Sequence, residues 1–352
     1  MPFDTQYAGY SDTLLVVAVL AYAAAMAGYA VQYAFGTRGA VARVVHRRAP
    51  DPVLVLVPAG SHGTDTSPID ASGPDAVPAD APPSDGDPAA ERPHPVPPIV
   101  GRLAVAVTLL GAAAHAGSLA FRGLAAGRVP WGNMYEFVLT ACLVGVVCWL
   151  VLALRRPGLR HLGVFAMLAV ILLLGIAAFK LYTRAEPLVP ALNSYWIKIH
   201  VSAAATASGI FLIGFLTAAM YLIRHGYDAR TAADRPVSFP FTLGPRLPGA
   251  DTLERLAFRF HALAFPIWTF AIAAGAIWAE AAWGRYWGWD PKETWSFIAW
   301  VVYAGYLHAR ATTSLRRRWV AWIAILGWAT MMVNLFAVNL VISGLHSYAG
   351  VS

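Results

Sequence analysis

Charge is scarce in this chain: 13% of its 352 residues are Asp, Glu, Lys or Arg, against 58% that are hydrophobic. A soluble core of that size does not require so much apolar surface, so the composition excludes an ordinary globular protein in water and makes lipid the solvent. Cysteine is almost missing. Cys142 and Cys148 share one apolar stretch; they are too far apart for a CxxC redox pair and lack the polar neighbours that activate a thiolate. Both are read as packing or lipid-facing residues. The first twelve residues hold Asp4 and Asp12 but no Lys or Arg. The basic n-region of a signal peptide is therefore absent, and the first apolar run is expected to be a retained helix. The net charge of +7 belongs, in a membrane chain, to inner loops, and nucleic acid is not an expected partner.

What is present is a series of runs long enough to cross a bilayer, each of roughly 20 residues. They fall near 13–35, 99–121, 134–154, 161–180, 196–223, 263–281, 296–314 and 319–342. The expected fold is all-α, a polytopic membrane protein with about eight transmembrane helices. With the N-terminus outside, 19 of the 26 Lys and Arg fall on inner segments, so the positive-inside rule places both termini outside.

Three regions follow. Residues 1–48 carry the first helix and a basic inner flank. Residues 49–98 hold 13 of the 24 prolines and 8 of the 19 acidic residues, a composition that cannot form a core and reads as a disordered cytoplasmic insertion. Within it, Val53–Val57 has the pattern of a short strand. Residues 99–352 form a seven-helix membrane domain. On its inner loop, Leu253, Leu256, Ala257 and Phe260 recur at helical spacing among Glu254, Arg255 and Arg259, as in an amphipathic helix lying on the membrane surface.

The densest pattern lies on the outer loop at 278–297, where Trp278, Trp283, Trp287, Trp289 and Trp295 surround Gly288, Asp290 and Pro291. Tryptophans also gather at membrane interfaces as anchors. Here the glycine and proline force a compact turn, so several indoles share one platform suited to a large, flat, apolar ligand. Arg285 and Lys292 stand ready for anionic groups on it. His200 and His346 flank this loop on the same side, and two neutral imidazoles across an aromatic floor make an axial pair for haem iron. His308 lies about 18 Å into its span, past the midplane of a core about 30 Å thick. An ionisable residue at that depth is a candidate haem ligand or proton-path residue, with packing on Tyr303 or Tyr306 as the alternative.

The run GAIWAEAAWGRYWGWDPKETWSFIAWVVYAGYLHAR at 275–310 resembles the WWD signature of the haem-handling proteins of cytochrome c biogenesis. With PWGNMYEF at 130–137, SYWIKIHVS around His200 and NLVISGLHSYAG at 339–350, it is similar to the CcsA (ResC) type of the system II pathway, often named CcsB in actinobacteria. The resemblance covers most of residues 100–352. It implies that haem b reaches the outer face of the plasma membrane and is held there by His200 and His346 over the loop, with Trp283, Trp287, Trp289, Asp290 and Trp295 as contacts. It implies joining of that haem to reduced CxxCH thiols of an apocytochrome c, with thiol-reducing proteins serving indirectly. It also implies a transmembrane haem site at His308, completed by a histidine of a ResB-type subunit. The activity expected is that of a haem lyase complex working by positioning, since no side chain looks like a covalent nucleophile. A haem relay without ligase activity and a secondary transporter are the alternatives. The first helix and the insertion show no motif of this family.

Overall fold

The structure, a computed structural model, describes residues 5–36, 99–185, 194–312, 314–342 and 344–345. The insertion at 49–98, with its candidate strand at 53–57, lies outside the described residues, as does His346. All regular elements among the described residues are helical, as lipid requires of a chain that must satisfy every backbone group internally. Helix α1 is Thr5–Phe35, α2 Ile99–Ala126, α3 Met134–Arg155 and α4 Gly163–Ile176, the last extended at both ends by tighter or wider turns. Next come α5 Tyr195–Ala232, α6 Ala250–Trp283, α7 Pro291–Ala311 and α8 Arg317–Met332, which continues through a π turn at Val333–Ala337 to Leu340.

Each expected span has its helix. Seven are long and apolar enough to cross a membrane, and the chain is a multi-pass membrane protein. The eighth, α7, has the length at 21 residues but is less apolar, with Lys292, Glu293, His308 and Arg310 near its ends.

One expectation is corrected. The amphipathic stretch at 253–260 is not a separate surface helix: it opens α6, which is one helix of 34 residues from Ala250 to Trp283 at the tryptophan loop. Pro266, a helix-breaking residue inside α6, does not end the helix, and the apolar face of the stretch is taken up by protein, with Leu253, Leu256 and Ala257 buried. Glu254 on its polar side pairs with Arg310 of α7.

The most extensive seams are α1–α2 and α5–α6. Between helices in lipid there is no hydrophobic drive, so close approach of small residues and polar pairs hold the seams. Along α1–α2, Tyr22 Oη lies 3.2 Å from His115 Nδ1 and Tyr29 Oη 3.0 Å from Thr108 Oγ1. Along α5–α6 the device is reciprocal. A Cβ at Gly275 of α6 would come within 2.7 Å of the ring of His200 on α5, and one at Gly214 of α5 within 2.7 Å of the ring of His261 on α6. Each helix thus receives a histidine of the other in a glycine notch, at two levels about 21 Å apart.

Candidate functional site: a cavity beneath the tryptophan loop

The loop between α6 and α7 is folded by its own short-range hydrogen bonds. Gly284, at φ 69°, ends α6 by donating its N–H to Glu280 O at 2.8 Å. Asp290 starts α7, with Pro291 in the first turn, and accepts from Lys292 N at 3.2 Å. Glu293 closes the box, its Oε2 accepting from Asp290 N at 3.1 Å and Gly288 N at 2.8 Å. Asp-Pro-Lys-Glu is the sequence of a capping box with proline at the first helical position. That pattern marks Glu293, which the sequence reading left without a role. The same network holds Trp289 at φ 58°, a conformation costing a bulky L-residue roughly 1–2 kcal/mol.

Beneath the loop is a cavity of about 170 Å³, walled by α3, α5, α6, α7 and α8. Trp278, Trp283 and Trp287 line one side and Trp131, from the turn before α3, another. Tyr286 lines it while 61% exposed, so the cavity reaches the surface. His200 is set into its wall. The imidazole lies parallel to Trp278, 9° between planes at 6.4 Å, and its Nδ1 is 2.7 Å from Ala271 O. A carbonyl only accepts, so Nδ1 carries the proton and Nε2 has the lone pair in the neutral ring. This is how metal-binding histidines are oriented by a neighbouring acceptor.

Of the residues singled out from sequence, His200, Trp283, Trp287 and Lys292 come together around the cavity, whereas Arg285, Trp289, Asp290 and Trp295 do not line it. Trp289 is 65% exposed and meets Trp287 and Phe297 edge-on, at 5.8 and 6.2 Å. The Arg285 guanidinium covers Gly288 and lies 3.8 Å from the Glu293 carboxylate. Lys292 is turned inward, Nζ donating to Asn339 Oδ1 at 2.7 Å and touching Met134 Sδ at 3.3 Å. It sits before the predicted span at 296–314. Burial lowers its pKa to about 7, with the Asp290 carboxylate opposing the shift. A charged form so penalised gains strongly from an anion brought alongside.

His308 lies three residues from the end of α7 and is exposed, while Tyr303 and Tyr306 face inward. The tyrosines hold His261 instead, with ring centroids at 5.4 and 4.6 Å.

Trp131, Glu136 and Asn339 were missed as individuals. Glu136 is fully buried and accepts from Arg122 Nε at 2.9 Å, Arg128 Nη1 at 2.7 Å and Gly132 N at 2.7 Å. This cluster folds the turn that brings Trp131 to the cavity. Removing one charge from such a buried set costs about 3–5 kcal/mol. An acid entering an apolar run, with two arginines shortly before it, was the available signal.

The cavity-bearing part of the bundle is also where the chain matches known proteins. Residues 131–346 match the family described as Cytochrome C assembly protein. Relatives named cytochrome c biogenesis protein CcsA include that of Synechococcus elongatus, 35% identical over 291 residues, covering 71% of this chain and 87% of the relative. That of Porphyra purpurea is 31% identical over 280 residues, covering 71% and 88%, and that of Guillardia theta 34% over 241 residues, covering 65% and 80%. The match takes in Trp131, His200, the whole tryptophan loop and Asn339, so every wall of the cavity is included, and this chain belongs to the cytochrome c assembly protein family.

Proposed function

We propose that this chain serves cytochrome c biogenesis by holding haem b in the cavity beneath the tryptophan loop, with His200 and His346 as axial ligands. Acting with a ResB-type subunit, it joins that haem to the CxxCH thiols of an apocytochrome c. The loop lies at the outer face of the plasma membrane and both termini lie on that side, following the distribution of Lys and Arg.

The observation that carries the reading is the setting of His200. Its proton is committed to Ala271 O, leaving Nε2 as the basic nitrogen, in the wall of a cavity lined mainly by aromatic and apolar side chains. A flat macrocycle with a central metal and peripheral carboxylates suits these residues: indoles for its faces, an imidazole for its iron and Lys292 for an anionic group. Arg285, beside the loop but outside the cavity lining, would reach it only by leaving Glu293. Haem here is cargo and substrate. Attachment adds the S–H of each cysteine across a vinyl C=C, so nothing leaves and no covalent intermediate with this chain is required. The protein contributes position, as effective concentration and orientation, while thiol-reducing proteins act upstream. His308, presented on the outside of the bundle, suits a second haem site shared with a histidine of the partner subunit.

The test is visible spectroscopy of the chain purified with its partner. His200→Ala or His346→Ala is expected to convert a low-spin, two-histidine spectrum to a five-coordinate one, and added imidazole to restore part of it. A low-spin spectrum unchanged by both would overturn the axial pair. Haem attachment to an apocytochrome by the purified complex separates a ligase from a relay, and a complex that never carries haem would favour transport of another solute.

A further inference from the structure

Asp290 uses its two oxygens for different tasks. Oδ2 caps α7 by accepting from Lys292 N, whereas Oδ1 accepts from Leu345 N at 2.7 Å, across 55 residues of sequence. The close approach depends on Gly344, where a Cβ would stand 2.8 Å from Asp290 Oδ1 and 3.3 Å from Pro291 Cδ. A second tie lies six residues earlier. Lys292 Nζ donates to Asn339 Oδ1 at 2.7 Å, and Asn339 Nδ2 donates to the carbonyls of Asn334 and Leu335, at 3.3 and 2.5 Å. Those carbonyls belong to the π turn at Val333–Ala337, where the helix widens and ordinary i→i−4 pairing is interrupted. Asn339 therefore satisfies the irregular turn with its amide group and hands its oxygen to Lys292. The result is that the last segment of the chain is registered on the start of α7 at residues 339 and 345, and the next residue is His346.

We propose that Asp290 and Lys292 are positioning residues that fix the backbone leading into His346. On this view the aspartate of the tryptophan loop decides whether the C-terminal histidine is delivered to the iron opposite His200; the inference rests on the axial role of His346 proposed above. A direct contact from Asp290 to the ligand is disfavoured on two grounds. It does not line the cavity, and a carboxylate set beside the carboxylates of haem is repelled.

Gly344→Ala is the cleanest probe. The added methyl presses on Asp290 Oδ1 and Pro291 Cδ and so parts Leu345 from Asp290, while every side chain lining the cavity and both histidines are kept. In the haem-loaded complex with its partner, we expect normal protein level, retained haem, loss of the low-spin spectrum in favour of a five-coordinate one, and recovery on adding imidazole. Asp290→Ala should give the same signature, and Asp290→Asn, which keeps one acceptor oxygen, an intermediate one. His346→Ala is measured alongside. If it shifts the spectrum and Gly344→Ala and Asp290→Ala do not, the positioning role is overturned while the axial pair stands. If His346→Ala itself stays low spin, the axial reading falls and the positioning role falls with it. Loss of haem without a change of spin state in the Asp290 variants would make Asp290 a support of the haem-holding loop and overturn the proposal.

Discussion

The two ends of the α5–α6 seam are built from the same parts and finished differently. At both, a histidine of one helix sits in a glycine notch of the other. His261 is then closed in by Phe211, Tyr303 and Tyr306, with ring centroids at 5.8, 5.4 and 4.6 Å, and is 0% exposed. His200 stacks on Trp278 and also lines the cavity. Among the described residues, His261 Nε2 has no hydrogen-bond partner. The notch by itself is a way to bring two helices close; the cavity beside the ring is what distinguishes His200 from the closed-in His261.

The same substitution at the two notches should therefore have different consequences. Gly214→Ala places a methyl 2.7 Å from His261 Cε1, with aromatic rings behind it. Overpacking of this kind costs about 1–3 kcal/mol, so the largest expected effect is a drop in accumulation and in thermal midpoint, with an unchanged haem spectrum in the protein that remains. Gly275→Ala presses on His200 to the same degree, but the ring has the cavity to move into. Accumulation should stay near normal while the haem spectrum shifts, because the imidazole leaves its hydrogen bond to Ala271 O. Equal losses of protein at both sites, measured by detergent-solubilised yield and melting, would show that the cavity gives His200 no freedom.

A smaller effect is expected at a third histidine, outside the seam. His308 is exposed on α7 and near the end opposite the loop, so His308→Ala should reduce the haem reaching the cavity without altering the spectrum of what is there. Haem per complex and its spin state, measured together, check this. An unchanged haem content would leave His308 without a part in delivery.

Much of this contrast could not be seen in the sequence, and the reasons are physical. The eight long helices among the described residues were legible because lipid demands about 20 apolar residues for each crossing, a constraint that acts locally. The lengths of α5 and α6 were not, since hydropathy stops at the edge of the lipid whereas backbone hydrogen bonding continues past it. His200 and the tryptophan loop stood out because aromatic residues, a helix end and turn-formers crowd one short stretch. His261 did not, because its three aromatic neighbours come from α5 and α7, and Gly214 and Gly275 resemble any small residue in an apolar run. Asn339 and Leu345 were hidden for the same reason: their partners, Lys292 and Asp290, lie 47 and 55 residues away. His346, the strongest candidate beside His200, was legible only through its motif and lies outside the described residues.

The two cysteines refine the comparison from the side of α3. Cys142 is 1% exposed and borders the cavity, whereas Cys148, six residues further from the loop, is half-buried. Only Cys142 is therefore placed where a thiol would meet the cargo, and a reactive thiol requires a cation or a helix N-terminus to stabilise its anion. Cys142 lies in the middle of α3, surrounded by Val138, Leu139 and Val146 on its own helix, which supply neither. Replacing both with Ala removes one small buried group beside an existing cavity, so the stability cost should be at most about 1 kcal/mol. Haem content, spin state and attachment to an apocytochrome should all be unchanged, the smallest effect of the series. If the Cys142→Ala protein accumulates and keeps its haem but no longer supports attachment, while Cys148→Ala is silent, then the open end of the bundle offers a thiol as well as an imidazole, and catalysis by positioning alone would have to be abandoned.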